Sequence, residues 1–95
     1  MTVLIDPPVW PARGRRWSHL VSDVSFEELH AFAEALGVPP RGFHRDHYDL
    51  PSERYDAAVA LGAVAVSSRE IVARLTAAGL RRPRHAARRS GFQRP

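Results

Sequence analysis

The chain has 95 residues, with fourteen Arg and ten Asp plus Glu for a formal net charge of +4, and it contains neither Lys nor Cys. That length accommodates one small domain. Without cysteine there are no disulfides, thiolate metal sites or Cys nucleophiles, and without lysine there is no side-chain Schiff base and no Walker-type phosphate loop.

Apolar residues make up 44% of the chain, the proportion of a globular domain and too high for a disordered one. No apolar run approaches the roughly 20 residues of a membrane span. The start Met1-Thr2-Val3-Leu4-Ile5-Asp6 lacks the basic region of a signal peptide, so a cytoplasmic protein is expected. The charge is unevenly divided. Residues 81–95 hold six Arg and no acid, whereas residues 1–80 hold eight Arg against ten acids. The reading is a single domain over 1–80 and a disordered basic tail over 81–95. That tail is either a tether to nucleic acid or another polyanion, or a solvated end without a partner.

Thr2 to Ile5 is a β-rich apolar run halted by Asp6-Pro7-Pro8, and reads as a first strand. Residues 6–16 read as a loop containing the basic cluster Arg13-Gly14-Arg15-Arg16. Trp17 to Ser22 alternates, with Trp17, His19 and Val21 on one face, and reads as a second strand. Ser25-Phe26-Glu27-Glu28 is a capping-box sequence that opens a helix over 25–36, and Gly37 closes it. A short third strand is expected over 41–45, then a polar loop through Leu50, then a second helix from Pro51 or Ser52 to Leu61. Ala63 to Val66 is wholly apolar and suits a central strand buried on both faces. Ser67-Ser68-Arg69-Glu70 repeats the capping pattern and starts a third helix, ending at Gly79. The order β-β-α-β-α-β-α implies an α/β domain with a mainly parallel sheet of about four strands and three helices.

In open α/β sheets, ligands bind beyond the carboxyl ends of the strands. That rule gathers Asp6, His19, His47 and Asp49 as the candidate catalytic centre. Arg54, Ser67, Ser68 and Arg69 become candidate anion-binding residues at helix starts. His44, His47 and Asp49 lie within six residues and offer two imidazoles and a carboxylate, a set that suits zinc, manganese or iron. The competing reading leaves His44 on the surface and Asp49 as a helix cap. Trp10 and Trp17 flank the basic loop. They can stack bases while Arg13, Arg15 and Arg16 meet phosphates, or they can simply pack. Tyr48 reads as a packing anchor with a bonded hydroxyl, and His30 as a helix-surface or half-buried residue.

Four segments in order carry a family resemblance. They are Met1 to Pro11, Trp17 to Asp23, His47-Tyr48-Asp49-Leu50, and Leu61 to Val64 with Val66-Ser67-Ser68-Arg69-Glu70. Together they resemble a small bacterial and phage family, the domain of unknown function number 4031, over most of residues 1–75. The resemblance brings no established activity or cofactor. Related domains joined to HD-type phosphohydrolases tilt the expectation toward phosphate chemistry. The functional expectation is therefore a site that binds a phosphate-containing ligand or hydrolyses a phosphoester with a divalent metal. The alternative is a non-catalytic nucleic-acid or protein adaptor that uses the basic loop and residues 81–95.

Overall fold

A computed structural model of the chain describes residues 2–82. Most of the basic segment, residues 83–95, lies outside the described residues. The described part is an α/β domain with a six-stranded sheet and three α-helices. The strands are β1 (Val3–Ile5), β2 (Trp10–Ala12), β3 (Arg15–Ser22), β4 (Phe43–His44), β5 (His47–Pro51) and β6 (Val64–Ala65). The helices are α1 (Phe26–Leu36), α2 (Tyr55–Leu61) and α3 (Ser68–Ala78). No described helix is long and apolar enough to cross a membrane.

The strand order is β4-β5-β3-β1-β6, with β2 also paired to β3. The sheet is mostly antiparallel, which corrects the expectation of a mainly parallel one. Only β1 and β6 pair in parallel among the described strands. Two tight hairpins are the physical reason for two of its antiparallel pairings, β2–β3 and β4–β5. The β2–β3 turn places Arg13 at φ 52° and Gly14 at φ 72°, consecutive positive values that match the right-handed twist of a two-residue hairpin. Arg45 takes φ 60° in the turn between β4 and β5. Two-residue turns join only antiparallel neighbours.

Several element boundaries also differ from expectation. The segment expected as a loop through Leu50 contains β5, whose burial alternates along its length. The strand expected over 41–45 shrinks to β4, preceded by a 3-10 turn over Pro40–Gly42. The second helix starts later than expected, after a 3-10 turn over Ser52–Arg54. The run Ala63 to Val66 is not central. β6 lies at the sheet edge, and its two residues are exposed while Ala63 and Val66 turn into the two cores.

Both faces of the sheet are covered, unequally. Val3, Ile5, Leu20, Tyr48 and Leu50 face α1 and α2, where they meet Leu29, Ala33 and Ala58. The residues between them on the strands point the other way. There Leu4 and Val21 pack against Ile71 and Leu75 of α3. Period-two alternation therefore leaves Trp17, His19, His47 and Asp49 on the α3 face, beyond the part that α3 covers.

The helix ends follow local rules. Ser25 Oγ accepts the Glu28 N–H at 3.0 Å, and Gly37 closes α1 at φ 84°, a value that disfavours a side chain. The reciprocal half of the capping box does not form. The Glu28 carboxylate instead accepts the Ser22 hydroxyl. Ser67 Oγ caps α3 through the Glu70 N–H at 3.1 Å.

Candidate functional site

Asp6 follows β1 and is fully buried. A buried carboxylate needs partners, because an unpaired one loses its hydration for nothing. Asp6 has four. Oδ1 accepts the His19 backbone N–H at 2.6 Å. Oδ2 accepts from His19 Nδ1 at 2.8 Å, Trp10 Nε1 at 3.2 Å and Ser68 Oγ at 2.7 Å. Burial pushes the Asp6 carboxyl up, but hydrogen bonds from the His19 side chain and backbone and from Ser68 outweigh it and hold the group below its ordinary range. An ionised carboxylate only accepts, so His19 Nδ1 carries the proton. In the neutral ring the Nε2 lone pair is then free.

His47 repeats the arrangement. Its Nδ1 lies 2.8 Å from Oδ1 of Asp46, which is buried in the β4–β5 turn. Asp46 Oδ2 accepts the Arg82 N–H at 2.8 Å and pairs with the Arg81 guanidinium at 3.4 Å. Burial raises the Asp46 carboxyl, and the bonds from His47 and Arg82 more than reverse it. On the other side of the ring, His47 Nε2 lies 3.1 Å from Asp49 Oδ1. Burial lowers the His47 pKa, but hydrogen bonds to Asp49 and Asp46 overcome this and raise it above its ordinary value. The same bond from His47 holds the Asp49 carboxyl low. His47 is thus clasped between two carboxylates, which favour its protonated form.

Strand pairing brings the two histidines together. His19 sits opposite Asp49 across the β3–β5 ladder. The His19 and His47 rings meet edge to face, with centroids 5.0 Å apart. One ligand atom from each of His19, His47 and Asp49 lies within 4.8 Å of the other two. Bonds of about 2.0–2.2 Å to a single ion would require that spread to close. Two imidazoles and one carboxylate, with further coordination positions open, suit zinc, manganese or iron.

The structure thus gathers Asp6, His19, His47 and Asp49 into one cluster, with Ser68 joined to it through Asp6. It does not gather all the residues the sequence suggested. Of the expected ligand set of His44, His47 and Asp49, the last two converge with His19. His44 lies opposite His47 on β4, exposed, with its ring centroid 5.8 Å away. Arg54 is remote from the cluster, and its guanidinium donates to the Leu36 carbonyl at 3.1 Å, capping the end of α1. Ser67 is occupied as the α3 cap. Arg69 lines a cleft of about 670 Å³ between α3 and the sheet, whose wall also contains His19, His47 and Ser68.

Two participants were missed in the sequence. Asp46 read as an ordinary turn residue, although its adjacency to His47 was the available signal. Trp10 was read as a stacking or packing residue, and its indole N–H helps fix Asp6. Tyr48 matches its expected role, with its hydroxyl 2.7 Å from His30 Nδ1 on the opposite face of the sheet.

The sequence matches the family described as "Protein of unknown function (DUF4031)" over residues 3–78, and the chain belongs to that family. No curated protein and no solved structure matches it.

Proposed function

We propose that this member of the DUF4031 family is a metal-dependent phosphoester hydrolase whose divalent ion is held by His19, His47 and Asp49. The observation that carries the reading is the paired support of the histidines. Each presents its Nδ1 to a buried aspartate, Asp6 or Asp46, which turns the other ring nitrogen outward; that of His47 meets Asp49, in a contact that an ion would replace. Metal-bound histidines typically have their other nitrogen fixed in this way, which sets the tautomer and strengthens the ligand.

An ion bound by three protein ligands keeps positions for water and for a substrate oxygen, and it lowers the pKa of that water. Net hydrolysis forms a bond from the water oxygen to phosphorus and breaks the phosphorus–oxygen ester bond, with the water's two protons divided between the products. Arg69, on the wall of the same cleft, supplies a cation for the substrate phosphate. Aspartates 6, 46 and 49 surround the histidines with negative charge, which favours a cation at the centre.

Calorimetric titration with Mn²⁺ and Zn²⁺ tests the centre, and release of nitrophenolate from bis(p-nitrophenyl) phosphate tests the reaction. The expected result is one ion per chain, with affinity and hydrolysis both lost in His19→Ala and His47→Ala variants that still melt cooperatively. Binding of neither ion, or binding undiminished in both variants, overturns the reading.

A further inference from the structure

The sheet face beyond α3 is more than a metal cluster. The β2–β3 hairpin places Trp10 directly opposite Trp17, and the Trp10 ring lies 5.3 Å from that of His19. Trp10 is 44% exposed even though its indole N–H is fixed on Asp6. A large aromatic surface is thus held rigid and open beside the centre. On the other side, a groove of about 630 Å³ is lined by Arg13, Trp17, Arg41, Phe43, His44 and Asp49. Asp49 belongs to both this groove and the proposed ligand set, so the groove runs up to the metal position.

The charges in the groove are unspent. Arg15 pairs with Glu53, but Arg13 and Arg41 form no ion pair among the described residues. The Arg13 guanidinium lies over the Trp17 ring at 4.7 Å, which orients it without neutralising it. Among the described residues Asp49 is the only acid lining the groove, and a bound cation would offset its charge. Arginines that track a backbone, with aromatics on which bases stack, are the chemistry of single-stranded nucleic-acid recognition. Duplex bases are already stacked and give an exposed indole nothing to receive. Binding surfaces on both sides of the centre, with Trp10 and Arg69 in one and Arg13 and Arg41 in the other, suit an extended strand rather than a single nucleotide.

We propose that this face is a seat for single-stranded nucleic acid, laid across the His19–His47–Asp49 centre as its phosphodiester substrate. The substrate assignment rests on the hydrolase reading, but the seat itself does not. The basic segment 81–95 would bind any polyanion regardless of the groove, so the test compares groove variants within the full chain.

Fluorescence anisotropy with a labelled twelve-nucleotide oligo-dT and its RNA counterpart, measured in EDTA, reads the seat alone. The Trp10→Ala variant and the Arg13→Ala/Arg41→Ala double variant are each expected to weaken binding about tenfold. The double variant is also expected to lower the salt slope by about 1.4, as two lost phosphate contacts on a single strand imply. Far-UV circular dichroism confirms that each variant is folded. Unchanged affinity in both variants overturns the seat, as does tighter binding of a twelve-base-pair duplex or equal binding of thymidine monophosphate. Strand binding that follows the groove variants, in a chain that takes up no metal, keeps the seat and overturns only the hydrolase reading. Nitrophenyl ester hydrolysis without strand binding does the reverse.

Discussion

Asp6 joins three elements through one carboxylate: Trp10 of β2, His19 of β3 and Ser68 of α3 all donate to it. Removing a buried acceptor leaves its donors unsatisfied, and breaking a buried charged network by deleting one partner costs about 3–5 kcal/mol. Asp6→Ala is expected to lose stability on that scale in urea melts. Asp6→Asn keeps the shape but not the charge, and is expected to weaken metal affinity by about 10–100-fold, the range for a supporting carboxylate. The pH dependence of the metal-free protein has a definite sign. Asp6, Asp46 and Asp49 have lowered pKa values, so their stabilisation is present above about pH 4 and is lost as pH falls through their folded values. His47 has a raised pKa, so its stabilisation is full below about pH 6.5 and is lost as pH rises through its folded value. Thermal melts in EDTA should therefore show greatest stability on the acid side of neutrality. Saturating metal should remove the decline at higher pH, because the ion takes the place of the Nε2 proton. A flat profile in EDTA would contradict the clasped imidazolium.

At the scale of elements, α3 is bound at both ends to the aspartates that orient the histidines. Ser68 at its start donates to Asp6, and the Arg82 N–H just beyond its end donates to Asp46. Its middle is anchored by Ile71 and Leu75 against Leu4 and Val21. Docking of α3 and organisation of the centre are therefore coupled. Leu75→Ala should cost about 2–5 kcal/mol by opening a cavity in this small core. Leu75 offers no ligand atom, yet the same variant should also weaken Mn²⁺ affinity several-fold, as read by calorimetry. Unchanged affinity would show that the helix only covers the sheet. The termini of α1 and α3 were legible in the sequence, because a serine cap and a closing glycine act within one turn. β5 was not read as a strand, although its alternation was present. Its outward positions are His47 and Asp49, whose polarity imitates a loop, and only Tyr48 and Leu50 reveal the buried face.

For the whole molecule, the proposed ion and the fold should stabilise each other. An ion that binds only the folded chain adds about 2.7 kcal/mol when its free concentration is 100 times its Kd. For a domain of this size that corresponds to a rise in Tm of roughly 10–20 °C. Differential scanning fluorimetry with Mn²⁺ or Zn²⁺ should show the rise in the native chain and its absence in Asp49→Asn. A rise of equal size in both would place the ion elsewhere.

The sequence alone determined what depends on neighbours a few residues apart. It set the capped ends of α1 and α3, the alternation of β3, and the restriction of any chemistry to His, Asp, Glu, Arg, Ser and Tyr. It also marked Asp6, His19, His47 and Asp49, because titratable residues beside apolar ones stand out in one dimension. Strand order, and with it the choice of partners, was decided only by the tertiary structure. Asp6 meets a histidine 13 positions away and a serine 62 positions away. Tight hairpins paired β2 with β3 and β4 with β5, and long-range pairing set β3 beside β5. That pairing set His19 opposite Asp49, while Arg54 met the end of α1 and Asp46, in the β4–β5 turn, supported His47. Side-chain identity supplies the donors and acceptors, but long-range pairing selects which of them meet.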